Sequence, residues 1–204
     1  MCNIIENNGL FAFFCGYICL FNLCCMKKSV LAIVLGCLAV FCSSKALCQQ
    51  GFTGKRTLYI VRHAEKDTAG GNNPAISVTG KERAGDLYRA LKKKKIDLIF
   101  VSQYKRTGMT ADSIRIYQNI DTVHYAADVS ADKLFEQVKL RAGKAKNILI
   151  VGHSNTLPGI IRKAGVPGYT VKEIPDNEYD NLFIVKQKKG KAVLEQKKYG
   201  KPAK

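Results

Sequence analysis

The sequence predicts an α/β fold in which helices cover both faces of a largely parallel mixed sheet, a three-layer αβα sandwich. From residue 57 onward, short apolar runs alternate with amphipathic stretches, and this alternation is typical of βαβ units. All eight cysteines lie within the first 48 residues, so a disulfide framework for the folded domain is excluded. Neither an internal repeat nor a linker interrupts residues 49–204, which we expect to form one domain.

Six runs of apolar and β-branched residues predict the strands of the sheet. They comprise residues 58–61, 97–101, 122–125, 147–151, 181–187 and 191–195. The first helix is expected after Thr79, which would cap it while Glu82 reaches back to the cap. Apolar residues then recur at helical spacing up to Leu91. Three further helices are predicted over residues 104–118, 131–142 and 157–164.

Basic residues follow three of the predicted strands at the end where ligands bind in open α/β sheets. The first strand ends in Arg62 and His63, and the fourth ends in His153. The second strand ends in Ser102 and leads to Arg106 at a helix start. We therefore expect two histidines and two arginines to converge from distant parts of the chain.

Such a group has the chemistry of a phosphate site. Arginine donors match phosphate geometry bidentately, and a helix N-terminus adds backbone N–H donors. A neutral imidazole is a capable nucleophile toward phosphorus, and cationic surroundings should lower the pKa of His63 and keep it neutral. His153, if protonated, could stabilise the charge on the phosphate being transferred. An Arg-His pair alone has many structural explanations, and the evidence comes from Arg106 and His153 at equivalent strand ends.

Four motifs closely resemble those of the histidine phosphatase superfamily, also called phosphoglycerate mutase-like. They are Arg62-His63-Ala64-Glu65, the segment from Ser102 to Ala111, Val151-Gly152-His153, and Val78-Thr79-Gly80, the last one residue tighter than the family's helix-opening element. The resemblance implies that His63 forms a phosphohistidine, that Arg62, Arg106 and His153 hold the phosphate, and that no metal or other cofactor is needed. The family's proton donor is matched best by Asp128, with Glu65 and Glu178 as alternatives.

The expected function is a metal-independent phosphatase that hydrolyses phosphomonoesters or phosphoprotein. The alternatives are phosphoryl transfer as in phosphoglycerate mutases and a non-catalytic anion-binding protein on the same fold. The chain has 33 Lys and Arg against 16 Asp and Glu, for a net charge of +17, which favours anionic ligands. Its lysines occur in short, separated runs rather than in one basic arm, so we expect a small phosphorylated substrate and no nucleic acid.

Three other features have simpler interpretations. His124 lies within a predicted strand, without a partner motif, and is expected to be structural or exposed. The segment 70–73 could cradle a phosphate, but a flexible turn is the simpler interpretation. The segment 178–181 precedes a predicted strand and is either a turn or part of the pocket lining.

The first 48 residues have the pattern of a targeting segment. Residues 26–48 combine a basic start, an apolar run and small residues before Gln49, which is typical of a secretory signal peptide. Residues 1–25 are interpreted as a start-site artefact. The alternatives are an uncleaved membrane anchor, which would be the only membrane contact, and a lipoprotein with its lipobox at Cys37. A periplasmic or secreted location is expected.

Overall fold

The computed structural model describes residues 55–202. The predicted targeting segment, which contains all eight cysteines, lies outside the described residues. Within residues 55–202, no helix has both the length and the apolar character needed to cross a membrane.

Ten helices and strands make up the described part of the chain, in the order expected from the sequence. Their bounds are β1 Arg56–Arg62, α1 Val78–Leu91, β2 Leu98–Ser102, α2 Lys105–Gln118, β3 Thr122–Tyr125, α3 Asp132–Arg141, β4 Asn147–Gly152, α4 Leu157–Lys163, β5 Asn181–Lys188 and β6 Lys191–Lys198. The predicted strands and helices are confirmed, with small shifts at their ends.

The strands form one six-stranded sheet in the order β3-β2-β4-β1-β5-β6. The four strands from β3 to β1 in this order pair in parallel. Strand β5 pairs antiparallel with β1, and β6 pairs antiparallel with β5. The predicted mixed, largely parallel sheet is confirmed, and the carboxyl ends of β1, β2 and β4 meet at one edge.

Alternate residues of the strands serve two separate cores, because successive side chains of a strand point to opposite faces. On one face Leu58 and Ile60 of β1 belong to a buried cluster with α3 and α4. On the other face Tyr59 and Val61 belong to a cluster with α1 and α2. Helices therefore cover both faces of the sheet, as the three-layer prediction requires.

The start of α1 differs from the prediction. Its N-cap is Ser77 rather than Thr79, and the Ser77 hydroxyl accepts a hydrogen bond from the Gly80 amide at 3.1 Å. The capping residue therefore stands three positions before the glycine. Gly80 packs against the carbonyl oxygen of Glu65, where a Cβ atom would collide with backbone. A glycine at this position brings the helix directly against the Arg62–Glu65 motif.

Candidate active site

A cleft of about 530 Å³ opens at the carboxyl ends of β1, β2 and β4. It is lined by the two histidines and two arginines that the sequence predicted, namely Arg62, His63, Arg106 and His153. Both histidines and Arg62 are buried, with 5–7% of each residue exposed. The convergence predicted from the strand ends is present.

A hydrogen bond to the main-chain carbonyl of the next residue holds the His63 ring in one tautomer. Its Nδ1 atom lies 2.8 Å from the carbonyl oxygen of Ala64. A carbonyl oxygen only accepts hydrogen bonds, so Nδ1 carries the proton and Nε2 carries the lone pair. The backbone is fixed as well, because the His63 amide donates to the Gly152 carbonyl at 2.9 Å. The ring is therefore presented with an unprotonated Nε2.

His153 lies beside His63, with 5.2 Å between the ring centroids. Its Nε2 is 2.8 Å from the Ser102 hydroxyl, and its Nδ1 is 3.4 Å from Nη2 of Arg106. A guanidinium nitrogen can only donate, so Nδ1 accepts and Nε2 donates to Ser102. Tyr104 contacts both Arg106 and His153. Its ring centre lies 4.4 Å from the Arg106 guanidinium and 5.1 Å from the centre of the His153 ring. The end of β2 thus orients both the second histidine and the second arginine.

Arg62 is anchored by the segment that precedes β5. Its Nη1 atom donates to the carbonyl oxygens of Pro175 and Asp176 at 2.9 and 3.1 Å. Its Nη2 atom donates to the Asp176 carboxylate at 3.0 Å, and its guanidinium lies 4.1 Å from the centre of the Tyr179 ring. The Nε atoms of both Arg62 and Arg106 are buried and have no hydrogen-bond partner within the described residues. A buried donor without an acceptor is costly, so both arginines favour an anionic ligand.

The site holds both histidines in the neutral form. Burial lowers the pKa of His63 to about 3; the hydrogen bond to Ala64 opposes this effect, and the nearby positive charges add to it. Burial also lowers the pKa of His153 to about 4, with further contributions from Arg106 and Arg62. The expected direction for His63 is confirmed, with burial as the larger cause. His153 is neutral near pH 7 in this arrangement, whereas the sequence interpretation had considered it protonated.

These pKa values predict a stability that falls in acid. A histidine whose pKa is lower in the folded state than its ordinary value of 6.5 binds its proton more readily in the unfolded chain. The free energy of unfolding should therefore decrease as the pH falls below about 6.5, and continue to decrease down to the folded-state pKa values. Urea unfolding at about pH 7.5 and pH 5 measures this loss.

Comparison of variants separates this loss from the titration of carboxylates. The double variant His63→Gln/His153→Gln should lose less stability between the two pH values than the unchanged protein does. His124→Gln is the matched control, because His124 is exposed on β3. An equal loss of stability in all three proteins would contradict the assignment to the two buried histidines.

Of the three acidic residues considered as proton donors, only Asp128 lines the cleft. Its Oδ2 accepts a hydrogen bond from the Asp132 amide at 2.8 Å at the start of α3, and its Oδ1 is buried without a partner among residues 55–202. Glu65 instead accepts hydrogen bonds from Arg83, and Glu178 accepts them from Asn181 and Lys198. These two carboxylates are committed to structural contacts.

The structure adds residues that the sequence interpretation did not assign to the site. Asp176 and Glu173 line the cleft, Ser102 contacts His153, and Tyr179 lies against Arg62. Residues 178–181 do not line the cleft themselves, and Tyr179 contributes to it only through its contact with Arg62. One signal was available: an antiparallel strand next to β1 begins where β1 ends, so the residues before β5 had to approach Arg62.

Two further expectations concern the rest of the described chain. The turn near residues 70–73 contributes Gly71 and Asn72 to the rim of the cleft, and Asn73 accepts a hydrogen bond from the Lys105 amide at 3.0 Å. His124 is exposed, as expected.

In residues 55–202 no group of three or more His, Cys, Asp or Glu side chains is arranged to hold a metal ion.

Comparison with known proteins is informative for both sequence and fold. The profile of the histidine phosphatase superfamily (branch 1) matches residues 58–129, which include Arg62, His63 and Arg106. No curated protein matches the sequence.

Several solved structures share the fold. The α-ribazole phosphatase from Shigella flexneri has a TM-score of 0.52 at 16% identity, over 72% of this chain and 97% of its own. The protein histidine phosphatase SixA, solved with tungstate, has a TM-score of 0.52 at 16% identity, over 70% and 96%. A mycobacterial glucosyl-3-phosphoglycerate phosphatase has a TM-score of 0.52 at 14% identity, over 70% and 98%. Residues 58–129 are thus similar in sequence to the histidine phosphatase superfamily (branch 1), and the chain shares its fold with these solved structures.

Proposed function

We propose that this protein is a phosphatase that hydrolyses phosphomonoesters or phosphoprotein through a phosphohistidine on His63. The observation that carries the proposal is the orientation of the His63 ring and the tautomer that its hydrogen bond fixes. Its Nδ1 is tied to the Ala64 carbonyl at 2.8 Å, which leaves the Nε2 lone pair available in a cleft that also contains Arg62 and Arg106. The structural neighbours named as phosphatases, and the family profile, support a phosphatase activity in general.

In the first step Nε2 of His63 attacks the phosphorus atom, and the bond from phosphorus to the ester oxygen breaks. Arg62 and Arg106 offer their unpaired Nε donors to the phosphate oxygens. The N-terminus of α2, which begins at Lys105, adds a partial positive charge. The phosphate dianion offsets the arginine charges that disfavour protonation of His153, so this ring can become a donor to the phosphate in the complex.

The leaving oxygen needs a proton, and we propose Asp128 as its donor. Oδ2 of Asp128 is occupied by the Asp132 amide, whereas Oδ1 is without a partner among the described residues. Oδ1 is therefore the atom that would carry the proton. In the second step water attacks the phosphohistidine, Asp128 takes up a proton from that water, and the bond from phosphorus to Nε2 breaks to release inorganic phosphate.

The reaction is proposed to need no metal ion, because two guanidinium groups supply the positive charge that the transferred phosphate requires. We expect the domain of residues 49–204 to release phosphate from p-nitrophenyl phosphate and from phosphopeptides at a rate that an excess of EDTA leaves unchanged. Phosphate release that stops with EDTA and returns with a divalent cation would contradict metal independence.

The alternative of mutase-like phosphoryl transfer is tested with the same preparation. Incubation with phosphoglycerate should yield inorganic phosphate faster than the isomeric phosphoglycerate. Isomerisation that outpaces phosphate release would instead favour the mutase. An absence of any turnover together with tight binding of phosphate would favour a non-catalytic anion-binding protein.

We also propose that the enzyme acts outside the cytoplasm, in the periplasm or as a secreted protein. This proposal rests on the basic and apolar pattern of residues 26–48. N-terminal sequencing of exported protein tests it, and the expected mature start is near Gln49. A mature protein that begins upstream of Met26 would contradict both the start site and the signal peptide.

A further inference from the structure

Asp176 and Arg62 form an ion pair whose two side chains differ greatly in their exposure to solvent. The two side chains form an ion pair with 3.0 Å between Oδ1 and Nη2, yet 6% of the arginine side chain and 95% of the aspartate side chain is exposed. The cation is thus held inside the site while its carboxylate partner reaches in from solvent. Both residues line the cleft in which the phosphate is proposed to bind.

Arg62 does not depend on this carboxylate for its position. Two carbonyl oxygens, those of Pro175 and of Asp176 itself, accept hydrogen bonds from Nη1 at 2.9 and 3.1 Å. The Tyr179 ring supports the guanidinium at 4.1 Å. These contacts remain when the Asp176 side chain swings into solvent, so the cost of releasing the carboxylate is that of breaking one exposed ion pair.

The carboxylate competes with a phosphate for the same cation. Nη2 donates to Asp176, and the neighbouring Nε of the same guanidinium is buried without a partner in the described chain. Arginine holds oxyanions through pairs of such donors. A phosphate that takes both donors must displace the Asp176 carboxylate, and even a displaced carboxylate remains a like charge nearby.

From these contacts we infer that Asp176 sets the affinity of the cleft for phosphate oxyanions by acting as an internal, displaceable competitor for Arg62. The inference rests on the proposed phosphate site. It assigns Asp176 a role in affinity, because every oxyanion that takes Nη2 of Arg62 must first displace this carboxylate. The displaced carboxylate also repels the bound ligand, and it repels a dianionic phosphate more strongly than a singly charged carboxylate ligand.

The test is the binding of inorganic phosphate and of acetate, measured by isothermal titration calorimetry near neutral pH. In Asp176→Asn the amide oxygen still accepts from Nη2, but the charge is removed. We expect the dissociation constant for phosphate to decrease about two- to fivefold, which corresponds to the contribution of an exposed ion pair. The dissociation constant for acetate should decrease by a smaller factor, because removal of the carboxylate relieves less repulsion for a singly charged ligand.

Glu173→Gln is the matched control. It removes the same charge from the same cleft, but Glu173 contacts the Ser154 hydroxyl at 3.0 Å rather than an arginine. The expected change in the phosphate dissociation constant is less than about twofold. An equal change in both variants would show a general charge effect and overturn the specific role of Asp176, as would an unchanged or weaker affinity in Asp176→Asn. Failure of the proposed phosphate site itself is distinguishable, because then the unchanged protein would bind no phosphate.

Discussion

Replacing His63 with alanine is expected to lower the rate of phosphate release by at least about a thousandfold. The variant keeps Arg62, Arg106 and His153, so it should still bind phosphate. What it loses is the Nε2 lone pair that attacks phosphorus, and water is a poor substitute at that position. The first measurement is the turnover of p-nitrophenyl phosphate by both proteins. In the second measurement, each protein is denatured rapidly during turnover, so that any phosphate bound covalently to the protein is trapped and can be detected. An acid-labile phosphate bound to the protein is expected, and it should be absent in His63→Ala.

The chain supplies a matched control in its third histidine. His124→Ala removes an exposed imidazole on β3, and its turnover and phosphate labelling should equal those of the unchanged protein. Retention of activity in His63→Ala would refute the phosphohistidine mechanism. Loss of activity without loss of the labelled intermediate would instead place the nucleophile elsewhere and leave His63 a role in hydrolysis.

The second large effect is expected on stability, at the ion pair of Glu65 and Arg83. Nε of Arg83 lies 2.7 and 2.9 Å from the two carboxylate oxygens, and 4% of the Arg83 side chain and 19% of the Glu65 side chain is exposed. Arg83→Ala leaves a largely buried carboxylate without its partner. We expect the free energy of unfolding to fall by about 3 kcal/mol, as measured by urea denaturation.

Arg89→Ala is the control on the same helix. Its side chain is 62% exposed and pairs with Asp86, so its loss should change the free energy of unfolding by less than about 0.5 kcal/mol. The double variant Glu65→Leu/Arg83→Leu removes both charges and should regain part of the stability lost in Arg83→Ala. If Arg83→Ala and Arg89→Ala are equally stable, the pair does not hold the Arg62–Glu65 motif against α1.

The sequence was sufficient to predict the sheet, the helices and the four basic residues that meet in the cleft. Each of those predictions depends on a local pattern: an apolar run identifies a buried strand, and the residues after β1 and β4 identify the edge where Arg62, His63 and His153 meet. Because parallel strands end at a common edge, their convergence follows from the strand directions alone.

The remaining parts of the site depend on loops, whose paths no periodic pattern encodes. Asp176 reaches Arg62 from more than a hundred residues away along the chain, and its neighbours show no regular spacing. The capping prediction failed for a different reason. Ser77 and Thr79 are both competent caps, and the choice between them depends on how closely Gly80 approaches Glu65, which is a tertiary contact.

The way Arg62 is anchored also bears on how such an enzyme could change over evolutionary time. Two of its hydrogen bonds end on the main-chain carbonyls of residues 175 and 176, and every amino acid offers that acceptor. Side chains in this segment could therefore be exchanged without releasing the arginine. If the proposed function holds, substitutions in this segment can change substrate preference while its backbone keeps Arg62 in place.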